Sequence, residues 1–236
     1  MVSVVLACYN EEEVLAGSFE AIKDTLDDLG RPYEILFVDD LSRDRTREII
    51  RKIVDAHPGL DIRVILHERN QGRGATVTDG FRAARGEIAG YLDVDLEVHA
   101  RYIPSLVRAI EKGADVATVR RIYAFQLRSI DRYFMSRGYS FLVRKLLGVP
   151  IHDTETGYKF FRRERLLAVL DEIEDGGWFW DTEFMVRALR HGLRLEEIPG
   201  AYVRRRDKTS TVSGLRDSAA YFAKLVRFRR TLRPGR

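Results

Sequence analysis

Four short, largely apolar runs recur along the first half of the chain: Val2 to Ala7, Glu34 to Val38, Ile62 to Leu66 and Ile88 to Leu92. Val2 to Ala7 reads as a short buried strand, and the other three runs as further strands. Helical segments fill the gaps. They run from about Glu12 to Leu29, ending at Gly30, from Asp44 to Ala56, stopping before Pro58, and from about Ala75 to Ala84. Strand–helix alternation of this kind predicts an α/β fold built on a mainly parallel central sheet flanked by helices.

A further helix, Tyr102 to Lys112, and a fifth strand, Asp115 to Val119, extend the pattern. Beyond them the sequence changes to a long basic amphipathic helix, Leu127 to Leu147, then short mixed elements, then a second basic helix from Leu215 to Arg230. The chain has 236 residues, of which 45% are hydrophobic, enough to bury a sizeable single core. No internal repeat or low-complexity linker divides it. Residues 1–212 therefore read as one catalytic domain, with a nucleotide-binding half to about 120 and an acceptor-shaping half to 212. A basic amphipathic tail, 213–236, follows.

Composition narrows the classes. The single cysteine, Cys8, excludes an internal disulfide framework and a cysteine zinc site, and reads as a small packing residue. No apolar run approaches the ~18 residues of a membrane span, and the N-terminus lacks a secretory pattern. The expectation is a soluble cytoplasmic chain that does not cross a bilayer by itself. Charge is uneven: residues 204–236 hold eleven basic and two acidic side chains, whereas the rest holds 29 basic and 34 acidic. An acidic body with a basic tail suits an anionic partner, either nucleic acid or an anionic membrane surface, or else a solvated tail.

In open parallel sheets, ligands gather at the carboxyl ends of strands. Those ends carry Cys8-Tyr9-Asn10-Glu11, Asp39-Asp40, Asn70 to Gly74, and Asp93-Val94-Asp95-Leu96-Glu97. Asp93, Asp95 and Glu97 alternate, so in extended chain they share a face and offer hard oxygen ligands to Mg²⁺ or Mn²⁺. Such an ion bridges phosphates and neutralises a diphosphate leaving group; an acidic turn capping the next helix is the structural alternative. Asp39 and Asp40 are placed either to cap the helix after Ser42 or to accept hydrogen bonds from a base edge or ribose. Gly72-Arg73-Gly74 superficially matches a dinucleotide fingerprint, but it follows the third strand and its third glycine position is Val77. That argues against a hydride-transfer enzyme. The glycine pair serves either a close backbone approach to nucleotide or a tight turn.

Ala-Cys-Tyr-Asn-Glu-Glu at 7–12, Phe-Val-Asp-Asp-Leu-Ser at 37–42 and Asp-Val-Asp at 93–95 together resemble family-2 glycosyltransferases of the GT-A fold. Asp153-Thr-Glu-Thr-Gly157-Tyr-Lys159-Phe-Phe-Arg162-Arg163 resembles their polyprenyl-phosphate branch, similar to dolichyl-phosphate mannose synthase. The resemblance implies a nucleotide-diphosphate sugar donor, GDP- or UDP-linked, bound by Ala7, Tyr9, Glu11 and Asp39, with Asn10, Asp40, Gly74, Asp93 and Val94 alongside. It assigns Asp93, Asp95 and Glu97 to the metal, the last position being usually Gln in that branch. It brings Arg121, Arg132 and Arg205 near phosphates, with Lys159 and Ser210 on the acceptor side. A Gly-x-Ser-Lys stretch of the branch reads Lys208-Thr-Ser210-Thr211 here, without the glycine or the lysine.

Inverting sugar transfer displaces the diphosphate in line. A hydroxyl acceptor requires a general base, for which Asp153, Asp181 and Glu183 are candidates beside Asp95 in the catalytic set. An ionised phosphate requires cations instead, and Arg120, Arg121, Arg128, Arg132, Arg137, Arg144 and Lys145, with the arginines at 204–206, supply them. Basic and aromatic residues interleaved on the two late helices suit an interfacial position on a lipid surface, or a helix packed on the sheet with a solvated arginine face. The expected function is metal-dependent transfer to a polyprenyl, dolichyl-type phosphate at the cytoplasmic membrane face, without nucleic acid and with room for a membrane-spanning partner protein. The alternatives are a hydroxyl acceptor, a pyrophosphorylase-like enzyme lacking its Gly-rich loop, or a nucleic-acid-binding tail. His99, His152, Trp178 and Trp180 read as structural at least as readily as functional.

Overall fold

The computed structural model describes residues 1–123, 130–203 and 214–232, with side chains at all of these except 130–137 and 214–220. The elements are β1 (Val2–Cys8), α1 (Leu15–Asp27), β2 (Tyr33–Asp39), α2 (Thr46–Ala56), β3 (Ile62–Leu66), α3 (Arg73–Ala83), β4 (Ile88–Leu92), a 3₁₀ turn (Ala100–Tyr102), α4 (Ile103–Glu111) and β5 (Val116–Tyr123). They continue as α5 (Ile130–Leu147), β6 (Tyr158–Arg162), α6 (Arg163–Leu170), α7 (Trp180–Arg190), β7 (Leu195–Tyr202) and α8 (Gly214–Thr231). The strands form one sheet in the order β3-β2-β1-β4-β6-β5-β7.

Successive residues of the central strands feed opposite cores. Val4, Leu6, Ile35 and Phe37 pack under α1 and α4, whereas Val5, Leu36 and Val38 pack under α3. Both faces of these central strands are covered, which explains their apolar runs, whereas β3, at the edge of the sheet, leaves Val64 and Leu66 exposed. The strand order reverses direction between β1 and β4, so a crevice opens at their carboxyl ends. β6 alone runs antiparallel to its neighbours, and Leu92 pairs with Tyr158. This reversal brings the start of β6, and the loop before it, to the same edge as the end of β4. β5 and β7 reach that edge too, pairing as far as Tyr123 with Tyr202.

Differences from the sequence expectations have local causes. α1 begins at Leu15 because the amides of Glu11 and Glu12 are held by Thr46 Oγ1 at 2.8 Å and Asp44 Oδ2 at 3.0 Å, keeping that turn out of the helix. β5 extends four residues beyond Val119 because β7 pairs with it along its whole length. Residues 127–129 of the expected long helix lie outside the described residues. Among the side chains described in α8, Leu225 and Phe228 are buried, the latter with its ring centre 5.6 Å from that of Phe179, and Phe222 is exposed. No helix among the described residues is long and apolar enough to cross a membrane.

Gly90 lies in β4 directly opposite Phe160 of β6, and a Cβ there would fall 2.5 Å from the ring. Gly90→Ala is therefore expected to cost about 1–3 kcal/mol through overpacking. Chemical denaturation checks this; unchanged stability would mean that the Phe160 ring can move aside.

Candidate functional site

The chain turns sharply after β4. The amide of Asp93 donates to the carbonyl of Gly157 at 2.8 Å, and Leu96 adopts a positive φ of 51° as its amide returns to Asp93. The turn leaves the Asp93 carboxylate exposed and those of Asp95 and Glu97 half-buried along one cleft of about 300 Å³, shared with Arg121, Gly157 and Tyr202. Asp95 Oδ1 accepts the Glu97 amide at 3.3 Å. Glu97 accepts a hydrogen bond from the Tyr202 hydroxyl, and its carbonyl accepts the amide of Val203 at 2.8 Å. The side chain of Val94, expected alongside the donor, is buried in the core, so only its backbone faces the turn between the carboxylates.

Arg73, the first residue of α3, faces this turn. Gly72 precedes it with φ 93°, a conformation open to glycine, and sets the direction in which the helix starts. The guanidinium donates from Nε and Nη2 to Asp93 Oδ1 at 3.1 and 2.6 Å, and from Nη1 to Asp181 Oδ2 at 2.6 Å. It also lies 5.3 Å from the ring centres of both Tyr91 and Trp178. Sequence reasoning named the glycines around Arg73 and passed over the arginine; a cation between two glycines at a strand end was the available signal.

The carboxylates fit a divalent ion by their chemistry. No group of three metal-ligating side chains is assembled among the described residues, and Glu97 is turned to Tyr202. Mg²⁺ is commonly held by one or two carboxylates together with substrate phosphates, not by an all-protein cage. Asp93, Asp95 and Glu97 all line the one cleft, Asp93 engaged by Arg73 and Glu97 by Tyr202.

The nucleotide end lies at β1 and β2. Ala7 is half-buried, and Tyr9 is exposed at the crevice. Asn10 takes a positive φ of 57°; its amide donates to Ser42 Oγ and its Oδ1 accepts the Arg43 amide, which joins the two strand-end loops. Asp39 is fully buried: Oδ2 accepts from the Ser42 amide at 3.1 Å and Arg47 Nε at 2.5 Å, while Oδ1 has no partner. Asp40 is not available to a nucleotide. Its carboxylate accepts the amides of Gln71 at 2.7 Å and Gly72 at 2.8 Å and pairs with His67, bracing the loop that leads to Arg73. Gly74 is likewise structural, because a Cβ there would fall 2.5 Å from that of Trp180.

The acceptor side resolves into ion pairs. Arg121 Nε and Nη2 grip both oxygens of Asp153 at 2.7 and 2.9 Å, and its guanidinium lies 5.7 Å from the ring centres of Tyr123 and Tyr202. Burial pushes the Asp153 carboxyl up, but the charge and hydrogen bonds of Arg121 outweigh it and hold it below the ordinary range. Asp181 shows the same balance: burial raises it, and Lys159 and Arg73 bring it down. Lys159 is fully buried, bonded to Asp181 at 2.6 Å, to the Tyr91 hydroxyl at 3.0 Å and to the Thr156 carbonyl, so it does not reach an acceptor as expected. Glu183 points away from the cleft, accepting the amides of Glu174 and Asp175 and pairing with Arg187. The side chain of Arg132, and Arg205 and Ser210 entirely, lie outside the described residues. His99 caps the 3₁₀ turn, His152 pairs with Glu197, Cys8 and Trp180 are core, and Trp178 is exposed above Arg73.

Comparison with known proteins adds the following. A family model described as Glycosyl transferase family 2 matches residues 3–169. Glycosyltransferase AglD of Haloferax volcanii is 36% identical over 84% of this chain and 32% of its own length. The undecaprenyl-phosphate 4-deoxy-4-formamido-L-arabinose transferase of Pseudomonas aeruginosa is 35% identical over 72% of this chain and 49% of its own. The dolichyl-phosphate beta-glucosyltransferase of Saccharomyces cerevisiae is 30% identical over 84% and 65%. The chain thus spans between a third and two thirds of these relatives. Glucosyl-3-phosphoglycerate synthase from Mycobacterium tuberculosis, solved with Mn²⁺, uridine diphosphate and glucosyl-3-phosphoglycerate, shares the fold with a TM-score of 0.71 at 19% identity, over 100% of this chain and 81% of that one.

Two outcomes follow from the buried pairs. Asp153 and Asp181 ionise below the unfolded value of about 3.9, so their stabilisation is complete above that pH and is lost as pH falls through the lower folded values. Acid unfolding followed by Trp180 fluorescence should show this loss below about pH 4. Lys159→Met, which leaves Asp181 short of one charge partner, is expected to cost about 3 kcal/mol in denaturant titration. Unchanged stability with weakened acceptor binding would return Lys159 to the acceptor site.

Proposed function

Because this chain belongs to glycosyl transferase family 2, we propose that it is an inverting, metal-dependent transferase moving a sugar from a GDP- or UDP-linked donor to a polyprenyl phosphate. The observation that carries the acceptor half is the commitment of every expected base. Asp153 is gripped by Arg121, Asp181 by Arg73 and Lys159, and Glu183 by Arg187. A hydroxyl acceptor needs a base to take its proton and these three are engaged by cations, whereas an ionised phosphate needs none. It needs a cation near the diphosphate site, and Arg121 lines the same cleft as Asp93 and Asp95. The two relatives named for their acceptors both use a polyprenyl phosphate while their sugars differ, which also supports this reading.

On the donor side, Asp93 and Asp95 are the residues to hold Mg²⁺ or Mn²⁺ against the diphosphate, and the bound ion would neutralise charge on the leaving group. Tyr9, Glu11 and the unpartnered oxygen of Asp39 are the groups for base and ribose. Arg73, held by Asp93, is a second cation beside the departing diphosphate, where preorganised charge is most effective.

The lipid would approach from α5 and α8. Phe141, Leu142, Trp178 and Phe222 are exposed there, with Lys145 and Lys224 among them. Aromatic and basic side chains on amphipathic helices favour peripheral contact with an anionic, cytoplasmic-face membrane, and a membrane-spanning partner would strengthen it.

Asp95→Ala is expected to lower transfer from nucleotide sugar to farnesyl phosphate by at least a hundredfold without changing the melting temperature. In the unmodified protein, uridine or guanosine diphosphate with Mn²⁺ should raise apparent stability by about 2.7 kcal/mol at a hundredfold excess over Kd, and much less with EDTA. Full transfer with the metal chelated would refute the metal role.

A further inference from the structure

The loop between α6 and α7, residues 171–179, is bonded both to the start of α3 and to α8. On the α3 side, the Gly176 carbonyl accepts the amide of Ala75 at 3.0 Å. A Cβ at Gly72 would fall 2.7 Å from that carbonyl oxygen, and one at Gly74 would fall 2.8 Å from the carbonyl oxygen of Gly177. The glycines flanking Arg73 thus leave room for this loop. On the α8 side, the Tyr221 hydroxyl donates to the Trp178 carbonyl at 2.8 Å and Lys224 Nζ donates to Asp175 Oδ2 at 2.5 Å. Asp175 Oδ1 in turn accepts the Gly177 amide at 2.8 Å. Phe179 completes the seam, its ring centre 5.5 Å from that of Tyr221 and 5.6 Å from that of Phe228.

Trp178 is where the two sides meet. Its carbonyl is held by α8, and its ring centre lies 5.3 Å from the Arg73 guanidinium. Trp178 is 54% exposed, whereas the Arg73 side chain is only 13% exposed. A large ring left in water and set against a shielded cation covers that cation. The guanidinium directs its hydrogen bonds to Asp93 and Asp181, and the rings of Tyr91 and Trp178 flank it. The two rings differ in what holds them. Tyr91 is buried in β4, so the core fixes it. Trp178 is fixed by a loop that Tyr221 and Lys224 hold from a surface helix.

We propose that Trp178 is a positioning residue for Arg73 and that α8, through Tyr221 and Lys224, holds it in place, so that the seating of α8 sets the charge presented to the departing diphosphate. The inference rests on the role given to Arg73 above. A guanidinium over an indole is attracted by the ring quadrupole, the more so where water is excluded. Covering the cation also lowers the local dielectric, and its attraction for a diphosphate strengthens accordingly. Both effects act on the leaving group, where charge grows in the transition state, so they are felt in turnover more than in acceptor binding. Tyr221 and Lys224 touch the loop and not the cleft, which separates their influence from direct contact with substrate.

The test is steady-state transfer from UDP-glucose or GDP-mannose to farnesyl phosphate by the full chain, read beside fluorine NMR of protein labelled with fluorotryptophan. The chain has two tryptophans, so the signal lost in Trp178→Phe is that of Trp178. Trp178→Ala should lower kcat about tenfold, with KM for farnesyl phosphate changed by less than about twofold and the melting temperature unchanged. Trp178→Phe keeps a ring beside the guanidinium and should recover most of the loss. Tyr221→Phe, which removes only a hydroxyl outside the cleft, should move the Trp178 signal, leave that of Trp180 in place and lower kcat in the same direction. Lys224→Met should repeat this, and Lys224→Arg should not. In the wild type, uridine or guanosine diphosphate with Mg²⁺ should move the Trp178 signal as the diphosphate meets Arg73. Unchanged kcat in Trp178→Ala would overturn the positioning role. A change confined to KM would make Trp178 part of the acceptor site and overturn it equally. A loss in Trp178→Ala, with neither kcat nor the Trp178 signal altered by Tyr221→Phe, would overturn the part given to α8. A wild-type chain that neither binds nucleotide nor transfers sugar would overturn the donor reading itself, while the response of the Trp178 signal to Tyr221→Phe would still report the link to α8.

Discussion

The floor of the cleft depends on one buried carboxylate. Asp181, in the first turn of α7, collects Arg73 from α3, Lys159 from β6 and the hydroxyl of Tyr91 from β4. Taking an unpaired carboxylate out of water costs several kcal/mol. Here two cations, a hydroxyl and the start of a helix all oppose that cost, the last because its dipole favours an anion there. The consequence reaches the chemistry. Arg73 bonds Asp181 on one side and Asp93 on the other, so the position of the exposed carboxylate is set by the buried one. A structure that had lost Asp181 would retain its sheet and lose the registration of its site.

The sheet was legible because its evidence is local. A run such as Val2 to Ala7 is apolar for the same reason wherever its neighbours lie, and polar clusters at strand ends announce a crevice once the strands are parallel. The reversed β6 and the long β5–β7 pairing were not legible, since both depend on partners distant in sequence. The site divides in the same way. Asp93, Asp95 and Arg121 were found by type and position and do share a cleft. Asp40, Lys159 and Glu183 have the right types at plausible positions, yet their side chains are committed to the loop before Arg73, to Asp181 and to Arg187. A sequence shows that a side chain carries charge; it does not show what already neutralises it.

The late helices illustrate a second limit of pattern reading. α8 has apolar residues on more than one side, and the pattern alone does not say which of them packs. Packing takes Phe228, for which Phe179 and the Arg187 guanidinium supply an aromatic and cationic surface, and Leu225 is buried on the same helix. What remains exposed, Phe222 beside Lys224, is then available to an outside surface. On the lipid-phosphate reading, one helix both closes the hydrophobic core behind α7 and presents an interfacial face.

On the proposed reading, Arg121 is the group that would suit this cleft to a phosphate. A free arginine gives up about 2 kcal/mol of rotamer entropy when it is fixed. Asp153 fixes this one in advance through both carboxylate oxygens, and Tyr123 and Tyr202 flank it. An anion meeting that guanidinium finds its orientation already set, so little of the interaction is offset by ordering, the condition under which charge stabilisation is strongest. The same pairing holds Asp153 ionised and engaged, and so removes it from proton transfer. On the proposed reading, a site that fixes its cation with a carboxylate otherwise able to serve as a base trades general-base chemistry for electrostatic binding, and an acceptor that arrives already ionised is the partner for which that trade would suffice.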